Sequence, residues 1–126
     1  LFEELNGLIS RMKVPYNGNT CLLDHTTVVV MSEMTRTPKK NGDGGKDHWP
    51  VACALVIGAG VAGNQMYGHT SDRMEGMAVN YLDGSLNGND LQYVKTENFV
   101  AGLLNLMNVP IPDYLTGTPF APFKTT

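Results

Sequence analysis

The chain has 126 residues, 42% of them hydrophobic and 17% charged, so it reads as one globular domain and not as a disordered tail or a coiled coil. Net charge is -3, and the nine Lys and Arg are scattered from Arg11 to Lys124, so no basic stripe for nucleic acid is present. No apolar run approaches the roughly 20 residues of a membrane span, and no basic region followed by an apolar stretch marks a signal peptide.

Leu1, Phe2, Leu5, Leu8, Ile9 and Met12 recur at helical spacing, which predicts an amphipathic helix over residues 1–13 that needs a surface to lie on. The chain opens Leu1-Phe2-Glu3-Glu4 without an initiator Met, so a piece of a longer protein is expected. Pro15 and Asn17-Gly18-Asn19 break the helix, and a turn-rich connection follows to Asp24, with His25 as a turn residue. Cys21 and Cys53 lack a CxxC partner; they are either a disulfide or two buried thiols.

Thr26–Met31 is β-branched and apolar throughout, the pattern of a strand covered on both faces in a parallel sheet. It runs into Ser32-Glu33-Met34-Thr35-Arg36-Thr37-Pro38 and then Gly44-Gly45-Lys46-Asp47-His48-Trp49. Ligands of open α/β sheets sit at the carboxyl ends of strands, so ionisable groups just past such an end are site candidates. A loop as long as 32–50 that mixes glycine with ionisable residues points the same way.

Val51–Ile57 predicts a second apolar strand, followed by Gly58-Ala59-Gly60-Val61-Ala62-Gly63. This matches GxGxxG, but no helical periodicity follows, so the pattern is a turn requiring positive φ before a short strand near Gln65–Tyr67, not a dinucleotide loop. Residues 68–95 read as surface loop with one or two short strands, His69 among them. Thr96 is placed as an N-cap, with Glu97 in the first turn and Phe99, Val100, Leu103, Leu104 and Met107 as the apolar face of a helix over 97–107. Asn108 and Pro110 end it, and 113–126 is an extended tail.

Each candidate has a functional and a plainer reading. His48 has the chemistry of a metal ligand or a general acid and base, or it fastens a loop. Asp47 orients a neighbour or caps the loop. Glu33 follows a strand, where a buried carboxylate must be paired, so it binds a metal or pairs with Arg36. Arg36 could clamp an anionic oxygen bidentately. Trp49 reads as packing, and Ser10, Ser32, Ser71 and Ser85 lack the context of a nucleophile.

Taken in order, the SEMTRTP stretch at 32–38, GGKDHWP at 44–50 and the glycine turn at 58–63 resemble a bacterial family of sulfatase-like proteins of unknown function. That family is placed in the alkaline phosphatase and sulfatase superfamily. Its pattern is SEFGRTP, an Asn- and Gly-rich loop, then GGRDHW; here Met34-Thr35 replaces Phe-Gly and Lys46 replaces Arg.

The resemblance covers roughly residues 1 to 115. It implies an α/β fold, part of a three-layer, mainly parallel sheet flanked by helices, with residues 1–126 as the C-terminal portion of one larger domain. It implies a metal-assisted phosphate- or sulfate-ester hydrolase site using a divalent ion such as zinc, manganese, iron or calcium. Glu33 and His48 would be metal ligands, with Arg36 as the anion clamp and Asp47 as a second catalytic residue that orients its neighbours. The superfamily's Asp-His pair is missing at Ser32-Glu33-Met34. Its nucleophile would come from the N-terminal portion of the parent or from a complementing subunit. The resemblance further implies a small anionic ester substrate and a periplasmic or extracellular setting. The rival is a secreted structural or binding protein that keeps the fold without the chemistry.

Overall fold

In the computed structural model, which describes residues 1–125, helix α1 (Phe2–Met12) is followed by β1 (Pro15–Asn17) and β2 (Thr20–Cys21). After a 3₁₀ turn (Leu22–His25) come β3 (Thr27–Met31), β4 (Thr35–Arg36), β5 (His48–Trp49), β6 (Ala54–Gly58) and helix α2 (Thr96–Leu106). Both helices form within a residue or two of where apolar periodicity places them.

The strands form three two-stranded sheets, β1 with β2, β3 with β6 and β4 with β5, all antiparallel. The expected three-layer, mainly parallel, alkaline-phosphatase-like sheet is therefore overturned for the described residues. Its two anchor strands pair directly and in opposite directions, Thr27 opposite Gly58, Val29 opposite Val56 and Met31 opposite Ala54. The physical reason lies in the connection. A parallel return needs a crossover of a dozen or more residues, usually a helix, whereas residues 32–53 form a polar, glycine-rich excursion with its own hairpin, which leaves the chain beside β3 pointing back. Continuous apolar character did not signal burial on both faces: Thr27–Val30 are only half-buried and Met31 is exposed.

Gly58 closes this ribbon at φ +117, and a Cβ there would strike the Thr26 carbonyl, so the position needs glycine. Gly60 follows at φ +72, and the chain continues to an isolated bridge between Val61 and Lys124 without opening a helix. The glycine turn is thus as expected, but no strand forms at Gln65–Tyr67. Further on, short bridges link Thr70 with Gly76 and Val79 with Gln92.

The core is built at the far end of the chain. Val79, Tyr81, Ala101, Leu106, Phe120 and Phe123 are buried, so the segment read as an extended tail supplies two core aromatics. Phe120 packs edge-on against Tyr81 with ring centroids 5.9 Å apart, and Phe99 meets Phe123 at the same distance. Asn98, also buried, ties the cluster together. Its Oδ1 accepts from the Tyr81 hydroxyl at 3.1 Å and the Lys95 amide at 3.0 Å, and its Nδ2 donates to the Thr118 carbonyl at 3.0 Å. The helix N-cap is consequently Lys95 and not Thr96. At the other end, Asn108 adopts φ +55, and Lys124 Nζ reaches the Asn105 carbonyl at 2.8 Å and Asn108 Oδ1 at 3.2 Å. A cation is thereby set on the negative end of α2.

By contrast, α1 contributes no buried residue: Leu1 and Phe2 are 79% and 75% exposed, and the helix rests against the 3₁₀ turn. The amphipathic helix is present, and among the described residues its apolar face is covered only in part, with Leu5, Ile9 and Met12 half-buried and Leu8 exposed.

Candidate functional site

The segment from Glu33 to Trp49 is ordered by a narrow ladder. Thr35 stands opposite Trp49 and Arg36 opposite His48 in β4 and β5. Beyond them the Thr37 amide donates to the Asp47 carbonyl at 2.9 Å, and the Asp47 amide donates to Thr37 Oγ1 at 3.2 Å. Successive side chains on a strand point to opposite faces, so Thr35 and Trp49 share one face and Arg36 and His48 the other.

The Thr35–Trp49 face holds the hairpin down. Thr35 Oγ1 donates to the Val51 carbonyl, and Trp49 Nε1 donates to the Met74 carbonyl at 2.7 Å. Met74 sits at φ +63, in a turn where its amide donates to the Ser71 carbonyl, which points its own carbonyl toward the indole. Trp49 is half-buried, in keeping with a packing role.

The opposite face looks into solvent. Arg36 and His48 are both exposed. The hydrogen-bonded step between Thr37 and Asp47 makes Arg36 and His48 the non-hydrogen-bonded pair. Pairs of this kind bring Cα atoms to about 4.5 Å, closer than hydrogen-bonded pairs. Arg36 Nη1 donates to the Lys46 carbonyl at a long 3.4 Å, which leaves most of the guanidinium's donors free for another acceptor. Four cations, Arg36, Lys39, Lys40 and Lys46, face Glu33, Asp43 and Asp47 in this stretch, so it is locally positive within a chain of net charge -3.

The structure brings together two of the four candidates, Arg36 and His48, as cross-strand neighbours. Asp47 is adjacent in sequence but engaged elsewhere: its Oδ1 accepts from Asn41 Nδ2 at 2.9 Å. Glu33 is exposed just past β3, and its carboxylate accepts from Ser32 Oγ at 3.4 Å. Glu33 is therefore a solvated carboxylate at the end of a half-buried strand and does not require a partner. Ser32 Oγ also donates to the Met34 carbonyl at 2.8 Å. His25 and His69 are exposed turn and loop residues. Cys21 and Cys53 are both free thiols, with Cys53 exposed.

Among the described residues, no group of three or more His, Cys, Asp and Glu side chains is placed to hold a metal ion. Catalytic zinc sites take three protein ligands. Glu33 and His48 are too few for such a set, so the residues present do not by themselves fit a metal centre.

Sequence reasoning missed Asn41 and Thr37. Asn41 Oδ1 accepts from the Asp43 amide at 3.2 Å and the Gly45 amide at 2.9 Å, while the Asn41 amide donates to the Gly45 carbonyl at 2.8 Å. An Asn heading a glycine-rich loop is the signal that could have found it, because its side chain can mimic a backbone turn.

The family model described as "Protein of unknown function (DUF1501)" matches residues 8–92, more than half of the chain. The chain belongs to this family. The DUF1501 match contains the whole β4–β5 hairpin and its anchor at Met74, and it ends before α2 and the aromatic tail. No curated protein and no solved structure matches the chain.

Proposed function

We propose that the Arg36–His48 face of the β4–β5 hairpin binds the anionic group of a phosphate or sulfate ester, and that the parent protein is a sulfatase-like ester hydrolase. The observation that carries this reading is the register. It sets a guanidinium beside an imidazole, both exposed and both on the face turned away from the hairpin's anchors.

A guanidinium presents a planar fork matched to two oxygens of a tetrahedral anion. Its neighbour His48 can donate a hydrogen bond to a third oxygen, or move a proton to or from the bridging oxygen as a general acid or base. Both groups favour a state in which negative charge builds on those oxygens. Lys39, Lys40 and Lys46 raise the local anion concentration without needing a fixed geometry.

A divalent ion, where the parent uses one, would supply further charge stabilisation. Glu33 and His48 are the donors this chain would offer, with the remaining donors and the nucleophile coming from the rest of the parent or a complementing subunit. Asp47 acts through the loop and not on substrate. In this reading residues 1–126 are part of a larger exported domain, periplasmic or extracellular. The α1 face carrying Leu1 and Phe2 supports an additional surface against which the chain packs.

The test is turnover of aryl phosphate and aryl sulfate by the full-length protein with zinc, manganese, iron or calcium added, alongside Arg36→Ala and His48→Ala. Losing one charge-assisted contact at 1.5–3 kcal/mol lowers kcat/KM by roughly 10- to 150-fold for Arg36→Ala. A folded, metallated protein with no turnover, or variants that match the unmodified enzyme, sinks the hydrolase reading. An inert protein whose exposed face nevertheless binds a protein ligand would favour the alternative, a secreted binding protein.

A further inference from the structure

The pair that fixes the anion-binding face lies outside it. We propose that Asn41 and Asp47 are positioning residues, whose side-chain hydrogen bond holds the hairpin loop closed and keeps Arg36 directly opposite His48. The inference rests on the reading of that face as the anion site.

Two ladder steps are all that β4 and β5 contribute on their own, Thr35 with Trp49 and Arg36 with His48. Two-stranded ribbons are marginal in water and glycine-rich strands hold register weakly. Residues 38–46, with Gly42, Gly44 and Gly45 among them, would leave the Arg36–His48 step as the last before a flexible loop. A one-residue slip would turn one of the two side chains to the anchored face.

The structure places a closure beyond that step. Asn41 uses both ends of its side-chain amide: Oδ1 takes the Asp43 and Gly45 amides, and Nδ2 donates to Asp47 Oδ1 at 2.9 Å. Asp47 in turn exchanges backbone and side-chain bonds with Thr37. Asn41 is half-buried in a loop whose other polar residues are exposed. The chain thus runs from Arg36 through Thr37, Asn41 and Asp47 back to His48, with a side-chain bond where a longer sheet would have more strands. Asp47 accordingly works on His48 through the backbone and not as a hydrogen-bond partner of the imidazole.

The bond is directional, and that makes it testable by exchange of partners. Asn41→Asp puts two carboxylates face to face and removes the donor. Asp47→Asn keeps an amide oxygen that can still accept from Asn41. The double variant, Asn41→Asp with Asp47→Asn, restores a donor and an acceptor in reversed order, and the new carboxylate at 41 still accepts from the Asp43 and Gly45 amides.

The measurements are the cross-strand nuclear Overhauser contacts between residues 36 and 48, and the chemical-shift response of the same two residues to inorganic sulfate, in the full chain. The expected order is loss of the contacts and about tenfold weaker sulfate binding in Asn41→Asp, a small change in Asp47→Asn, and recovery in the double variant. Unchanged contacts in Asn41→Asp, or a double variant no better than Asn41→Asp, overturns the proposal. No sulfate response in the unmodified protein would refute the anion reading alone, since the contacts between 36 and 48 still decide whether the pair sets the register.

Discussion

Replacing Gly102 by alanine sets two known effects against each other. Gly102 is buried in the middle of α2, where an added methyl would ordinarily favour the helix by about 1 kcal/mol. Here the methyl would collide with the Phe120 carbonyl and lie 3.0 Å from the edge of the Phe123 ring. The carbonyl cannot retreat easily. Its own residue's amide donates to the Asn98 carbonyl at 3.0 Å, and the next amide, of Ala121, donates to the Tyr81 carbonyl, also at 3.0 Å. Overpacking of this kind costs about 1–3 kcal/mol, or more where backbone must shift. Because the struck atom is backbone, the upper part of that range applies, about 2–3 kcal/mol, and after the helix gain the net expectation is a loss of roughly 1–2 kcal/mol, or about 3–8 °C in Tm for a chain of this size. Urea and thermal unfolding followed by circular dichroism supply the assay. Gly7→Ala is the control, because nothing lies within 4 Å of a Cβ there and the same change should raise α1 helicity. Gly102→Ala as stable as the parent would refute the packing of the tail across α2.

Three other outcomes follow from the same contacts. Trp49→Phe removes the bond to the Met74 carbonyl and should cost about 1 kcal/mol; because Trp49 is the single tryptophan, its emission in the parent should shift red as the hairpin lifts off, before the core melts. Asp24 and Asp83 have their pKa values held below the ordinary 3.8, chiefly by the Cys21 and Ser85 amides donating to their carboxylates. Their stabilisation is therefore present above that value and lost as pH falls through the lowered ones, so Asp24→Asn and Asp83→Asn should flatten the acid limb of a stability–pH profile. Tyr81 shifts the other way, raised first by desolvation and then by the Glu97 charge, so stability is complete below pH 10.0 and declines as pH climbs through the raised value. In Tyr81→Phe that alkaline decline should shrink, at a cost of about 1 kcal/mol for the lost hydroxyl bonds.

What could be read in advance was local. The period of Leu5, Leu8, Ile9 and Met12 and that of Phe99, Val100, Leu103 and Leu104 mark the helices because periodicity is a property of the segment itself. The apolar runs at Val28–Val30 and Leu55–Ile57 mark strands for the same reason. Pairing direction is not local: the same valines suit a parallel neighbour or an antiparallel one, and only the course of residues 32–53 decides. Pro119 and Pro122 exclude helix from the tail, and an irregular segment carries no periodic sign of which of its residues are buried. Phe120 and Phe123 have no period to reveal them, yet α2 offers Gly102 as the gap they fill. At the site, residue types flagged Arg36 and His48, and the hairpin shows them to be neighbours. The role of Asn41 needed the loop's geometry, since its partners span residues 43 to 47.

The measurement nearest the centre of this account is sulfate titration of the full chain, read at the Arg36 guanidinium and His48 imidazole resonances and repeated with Arg36→Lys. Saturable shifts confined to those two residues, weakened about tenfold by a lysine that keeps the charge and loses the fork, are the predicted result. Shifts spread evenly over Lys39, Lys40 and Lys46 and insensitive to Arg36→Lys would contradict it.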